Sequence, residues 1–260
     1  MDERFTGPDL DQSRWIASYL PAWSSRHASA ATYDLGPDGL RLSIPPQHAL
    51  WCPDLHEEPL RVSAVQSGNW SGPVDSTRGQ QPFRDGLQVR EVQPALHGFV
   101  PHHGRIEVEC SAHIGPGSMF SAWMVGMEDE PERCGEICLV EVFGSSIADG
   151  TAEVGRGVHP FRDPSLAEKF AAPRLEIDVA EPHVYAVEWR PGGIDWFIDG
   201  DHVASSTQSP GYPMMLILGV FDFPSVEPHA GPGFVPELTV HRVTDTSPRH
   251  DDHRPSSGQR

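Results

Sequence analysis

The sequence predicts an all-β protein, a sandwich or jelly roll built from two antiparallel sheets, on three observations. Runs of period two recur along the chain, as in Arg105–Cys110 (RIEVEC), where Ile106, Val108 and Cys110 share one face and Glu107 and Glu109 the other. Turn formers are dense: 25 Gly and 26 Pro among 260 residues leave little room for long helices. There is no strand–helix–strand alternation of the kind that builds a parallel sheet.

Along the chain, the stretch from Gln66 to Gly86 is rich in Gly, Ser and Pro yet carries Trp70 and Phe83. A plain linker has no use for buried aromatics, so this stretch reads as long functional loops. Leu166–Ala172 (LAEKFAA) is the one segment with a helical look. His183–Arg190 (HVYAVEWR) and Ile194–Gly200 (IDWFIDG), parted by Pro-Gly-Gly, read as a hairpin in which Trp189 and Trp196 belong to the core. Met214–Phe223 (MMLILGVFDF) is almost continuously apolar and suits a central strand covered on both faces. Glu237–Val243 alternates and closes the fold. No repeat or internal linker divides the chain, so residues 1–245 form a single domain, with its folded part from Phe5 to Val243. Residues 246–260 form a polar tail without apolar residues, expected to be disordered.

The 37 acidic residues outnumber the 19 basic ones, giving a formal net charge of −18. Nucleic acids and anionic membrane surfaces are bound by clustered cations, so neither is expected as a partner. No window approaches the roughly 20 apolar residues of a membrane helix. The N-terminus MDERFTGPDLDQSRW lacks the basic and apolar regions of a secretory signal, so the chain is cytoplasmic as written, or extracellular if a signal was removed. Cys52, Cys110, Cys134 and Cys138 contain no C-x-x-C pair, and His102 and His103 are adjacent, so that on a strand they point to opposite faces. No metal site is expected from either set. No nucleophile elbow, P-loop or dinucleotide motif is present.

Gly135–Gly144 (GEICLVEVFG) carries the chemistry. On a regular strand Glu136 and Cys138 share one face, and Glu141, five positions on, falls on the other with Ile137. Burying an unpaired carboxylate there costs several kcal/mol. A β-bulge at Leu139 or Val140 restores Glu141 to the face of Glu136. Two carboxylates roughly 5 Å apart suit a retaining glycosidase, one as nucleophile and one as acid/base. Two solvent-facing glutamates on a plain strand are the alternative.

This segment resembles the catalytic strand of glycoside hydrolase family 16, the concanavalin-like jelly-roll glycanases, whose bulged form carries Glu-x-Asp-x-x-Glu. RIEVEC, GSMFSAWMVG and the HVYAVEWRPGGIDWFIDG hairpin are similar to that family in the same order, over most of residues 5–245. The resemblance implies a β-jelly-roll enzyme that hydrolyses β-glycosidic bonds within a polysaccharide, a β-glucan first, by double displacement. Carried over, Glu136 is the nucleophile and Glu141 the general acid/base. Cys138 stands where the family has its middle aspartate, and losing that negative neighbour is expected to lower the pKa of the remaining carboxyls. Cys138 can also be read as a small buried hydrophobe. The matching positions make Trp123 the cleft tryptophan and His159 a sugar contact, with Asn69, Trp70 and Tyr212 as further substrate-binding candidates. Expected partners are a poly- or oligosaccharide substrate alone, with a monomeric chain. No cofactor is implied, although a structural calcium with unidentified ligands occurs in parts of the family. The alternatives on the same fold are a carbohydrate-binding protein weakened at Cys138, or a transglycosylase.

Overall fold

Period-two patterning produces two stacked antiparallel sheets. The computed structural model describes residues 1–226, 230–231 and 233–246. The larger sheet runs in the order Asp201–Ser206, Gly193–Ile198, His183–Arg190, Gly104–His113, Glu237–Asp245, Gly39–Ser43, Thr32–Gly36, with Asp2–Glu3 also pairing Glu237–Asp245. The second sheet has six strands, ordered Lys169–Ala171, Gly155–His159, Glu136–Phe143, Ser118–Gly126, Met214–Asp222, Arg61–Gln66.

Alternate residues of each strand meet in one core between the sheets. Ile106, Val108 and Cys110 enter it from the larger sheet, and Phe120, Met124 and Leu218 from the six-stranded one. The opposite face of the six-stranded sheet is apolar too. Met119, Trp123, Met215 and Phe221 lie there in a second cluster, under Leu20 and Trp51 from the N-terminal loops. Ser118–Gly126 and Met214–Asp222 are therefore buried along their whole length. Near-continuous apolar sequence in an antiparallel strand is the mark of this double cover. Trp189 and Trp196 both lie in the core between the sheets.

Three local expectations are corrected. The helical reading of Leu166–Ala172 fails: Lys169–Ala171 is an edge strand paired with Arg156–Val158. An open sheet edge offers this segment ladder hydrogen bonds, whereas seven residues are too few to offset helix nucleation. His102 and His103 lie outside any strand and stack with ring centroids 4.3 Å apart, because His103 takes a left-handed φ of 68°. Of the segment 246–260 expected to be a disordered tail, 247–260 lies outside the described residues, and the Thr246 N–H donates to the Arg105 carbonyl at 3.1 Å.

All four cysteines are free and buried. Among the described residues, no helix is long and apolar enough to cross a membrane.

Candidate active site

The site begins with a register fault in the Glu136–Phe143 strand. Against Ser118–Gly126, Ser121 pairs with Glu141 and Ala122 with Val140, but Trp123 then pairs with Cys138, so Leu139 is the extra residue of a β-bulge. The other neighbour repeats the fault: Gly155 pairs with Glu141, Gly157 with Cys138 and His159 with Glu136. Leu139 and Val140 consequently both enter the core between the sheets. Glu136, Cys138 and Glu141 all take the opposite face. Glu136 and Glu141 line a cleft there of about 280 Å³, with Cys138 buried between them.

Gly155 gives Glu141 its room. A Cβ at that position would stand 3.2 Å from the Glu141 Cβ and 2.5 Å from the Phe170 ring. His159 packs beside Glu136, with Nε2 4.0 Å from Oε1, while its Nδ1 lies 2.9 Å from a Glu168 oxygen and its ring stacks on Phe170 at 4.8 Å.

Burial dominates the electrostatics. It pushes Glu136 up to about 8, with the charge of Glu141 adding to the rise and a hydrogen bond from Gln81 opposing it. Burial also raises Glu141, against the opposing charge of His159. Two carboxylates on one half-buried face of a strand thus disfavour ionisation of both together. The Cys138 thiol is pushed far above its ordinary value by burial, then by the charges of Glu136 and Glu141, and stays protonated. The lowering expected from an uncharged residue at Cys138 is outweighed: both glutamates stand above the usual carboxylate range.

Aromatic side chains form one wall. Tyr19 lies 5.0 Å from Trp51 and 6.3 Å from Trp123, and Trp51 lies 4.7 Å from Phe83, measured between ring centroids. Trp123 lines the cleft, buried, and its Nε1 donates to Gln81 Oε1 at 3.3 Å. Such faces suit the C–H faces of sugar rings.

Three candidate contacts make other contacts outside the lining of this cleft. Asn69 is buried, and its Nδ2 donates to Gln93 Oε1 at 3.1 Å and to the Pro94 carbonyl at 3.3 Å, so it pins a loop. Trp70 lies under the Arg78 guanidinium, 5.0 Å from its ring, and neither Trp70 nor Asn69 lines the cleft. The Tyr212 hydroxyl donates to Asp163 Oδ2 and accepts from the Gly135 N–H, both at 2.7 Å, so it braces the residue preceding Glu136 from beneath.

Other cleft residues carried no signal in the sequence. Gln81, Glu128 and Arg162 line it together, far apart in the chain. Gln81 Nε2 donates to Glu136 Oε2 at 3.0 Å, the Gln81 backbone N–H donates to Glu128 Oε1 at 2.5 Å, and Arg162 pairs with Glu128. Burial lifts Glu128 to about 7 against both of those partners. A glutamine in QQPF has no spacing that marks it; only the aromatic Phe83 beside it hinted that this loop borders a site. Among the described residues, no group of three His, Cys, Asp or Glu side chains converges to hold a metal ion.

Comparison with known proteins bears on this arrangement. No curated protein matches the chain. Among solved structures it is similar to the GlcNAcα1-4Gal-releasing endo-β-galactosidase from Clostridium perfringens, with a TM-score of 0.76 and 23% identity over 94% of this chain. The chain spans only 61% of the length of that protein. It is also similar to the laminarinase catalytic domain from Thermotoga maritima MSB8, with a TM-score of 0.63 and 14% identity, covering 94% of this chain and 95% of that one. The Bacillus licheniformis β-glucanase gives 0.58 and 15%, covering 95% of this chain and 98% of that one. At such identities these neighbours establish the fold, a jelly-roll sandwich. Residues 99–225, which contain the bulged strand and both cleft glutamates, match the model of Glycosyl hydrolases family 16.

Proposed function

We propose that this chain is an endo-acting, retaining glycoside hydrolase of β-linked polysaccharides, with Glu136 as nucleophile and Glu141 as general acid/base. The observation that carries this is the bulge at Leu139, which turns two mutually interacting carboxylates toward one aromatic-walled cleft. In the first step a Glu136 oxygen attacks the anomeric carbon while the bond to the leaving oxygen breaks, and that oxygen takes the proton of Glu141. A glycosyl ester on Glu136 results. In the second step the Glu141 carboxylate takes a proton from water, the water oxygen bonds to the anomeric carbon, and Glu136 leaves as a carboxylate.

Burial serves this cycle by keeping one proton on the pair near neutral pH, since two ionised carboxylates in one cleft are disfavoured. Burial favours that proton on Glu136 in the free protein, whereas attack requires it on Glu141, so the working form is the arrangement with Glu136 ionised. Cys138 contributes shape in place of the charge an aspartate would bring, and Trp123 and His159 flank Glu136 as sugar contacts. The net charge of −18 is compatible with a neutral glycan, which needs no cationic surface.

A β-glucan is the first substrate reading, supported by the likeness to the laminarinase and the β-glucanase. A β-galactosidic glycan is the second, supported by the higher similarity to the endo-β-galactosidase. Reducing-end release from laminarin, lichenan and a GlcNAcα1-4Gal-capped β-galactoside separates the two. Hydrolysis with retained anomeric configuration, lost by about a hundredfold or more in Glu136→Gln, is expected. Binding without release on every glycan and at every pH would leave a carbohydrate-binding protein instead. Equal rates for wild type and Glu136→Gln would overturn the site.

A further inference from the structure

Cys138, the residue between Glu136 and Glu141 on this face of the strand, stays neutral, and the hydrogen bond that Glu136 receives comes from across the cleft. Gln81 Nε2 donates to Glu136 Oε2 at 3.0 Å, and Gln81 Oε1 accepts from Trp123 Nε1 at 3.3 Å. The indole N–H can only donate, so it requires the amide oxygen on its side and turns the amide NH₂ toward Glu136. The orientation of the glutamine is thereby set by a neighbour rather than left free.

The backbone beneath is constrained as well. Gln81 has a φ of 43° and Glu128 a φ of 57°, left-handed values that side chains with a Cβ adopt only when the surroundings hold them. The holding contacts are visible. Glu128 is 3% exposed, accepts the Gln81 backbone N–H at 2.5 Å and is paired with Arg162. Both Glu128 oxygens are occupied in anchoring the loop, which leaves Gln81 as the member of this cluster that reaches the reacting carboxylate.

We propose that Gln81 is a positioning residue for Glu136: its amide holds Oε2, leaves Oε1 to face the anomeric carbon, and favours the ionised carboxylate needed for attack. This rests on the assignment of Glu136 as nucleophile made above. It replaces, from a distant loop, the neighbour on the catalytic strand that Cys138 does not supply.

The other groups around Glu136 are accounted for. Glu141 and Cys138 face it from its own strand, and His159, with Glu168 on its far side, from the adjacent strand. Tyr19 faces it from the N-terminal loops, half-buried and held neutral by desolvation, and its hydroxyl makes no hydrogen bond to Glu136 among the described residues. His56 and Cys134 also line the cleft, His56 against Trp51 and Phe83 and Cys134 accepting the Arg162 backbone N–H. Of all these, the Gln81 amide is the group that hydrogen-bonds Glu136 directly.

Carboxyl ¹³C NMR titration of the glutamate-labelled protein, with the Glu136 signal identified by its loss in Glu136→Gln, tests this without a substrate. Gln81→Met removes the donor while keeping side-chain length and the backbone N–H on Glu128. The Glu136 midpoint is expected to rise by about one pH unit, and the acid limb of hydrolysis to move with it, a tenfold loss of rate below the limb but not on the alkaline plateau. A loss from misfolding alone would depress the whole profile. Gln81→Asn, an amide one methylene too short, is the second variant and is expected to give the same rise. An unmoved midpoint in either folded variant overturns the proposal. Wild-type hydrolysis by Glu136→Gln would instead remove the nucleophile assignment on which it rests.

Discussion

The indole Nε1 of Trp196 donates to the carbonyl of Cys138 at 2.8 Å, across the core from one sheet to the other. Cys138 precedes the bulged Leu139, where the strand ladder is locally broken, so this bond ties the phase change of the Glu136–Phe143 strand to the opposite sheet. Trp196→Phe keeps most of the apolar volume and removes the donor. It is expected to destabilise the fold by about 1–3 kcal/mol, the cost of a buried carbonyl left unsatisfied. Calorimetry then reads a Tm lower by several degrees, and hydrolysis falls with it because the bulge sets the direction of Glu141.

The raised pKa of Glu136 makes a signed prediction about stability. Its folded value of about 8 lies above the ordinary 4.5, so the protonated carboxyl is the form the fold prefers. The stabilisation from that preference is complete below pH 4.5 and is lost as pH rises through about 8. Urea unfolding of wild type against Glu136→Gln, at intervals from pH 4.5 to 9, isolates it. The variant is expected to gain on the wild type as pH rises, by an amount on the order of a few kcal/mol. A constant difference across that range would contradict the burial argument.

Gly155 faces Glu141 with no side chain between them. Gly155→Ala places a Cβ 3.2 Å from that of Glu141 and 2.5 Å from the Phe170 ring, so the glutamate or the ring must shift. The expected result is a fall in kcat of tenfold or more, since small misplacements of a catalytic group are costly. Far-UV circular dichroism is expected to remain unchanged.

The cysteines are buried thiols, and Cys138 in particular is pushed far from ionisation. Thiolate is the reactive form, so iodoacetamide at pH 8 is expected to leave all four unmodified in the folded protein and to alkylate all four in denaturant. Cys138→Asp adds a third buried carboxylate between Glu136 and Glu141. It is expected to lower Tm and to move the acid limb of the pH–rate profile upward.

Much of this site was legible in the chain. The adjacent apolar pair Leu139–Val140, set between glutamates five positions apart, signals a change of phase, because a strand alternates faces with a fixed period and an unpaired carboxylate cannot stay in an apolar core. The central burial of Met214–Asp222 and the hairpin of His183–Arg190 with Gly193–Ile198 follow from equally local patterns.

Other features depended on the folded whole. Lys169–Ala171 became a strand because a neighbouring edge was there to pair with, and Asn69, Trp70 and Tyr212 took bracing contacts because their loops dock on partners distant in sequence. Gln81, Glu128 and Arg162 meet only after the loops close over the six-stranded sheet, and no spacing announces them. The order of residues along one strand determined which carboxylates share a face, since that is a property of backbone geometry over a few residues. Only the tertiary structure decided what surrounds them, how deeply they are buried and therefore how tightly they hold a proton, because burial and hydrogen-bond partners are supplied by segments brought together from the rest of the chain.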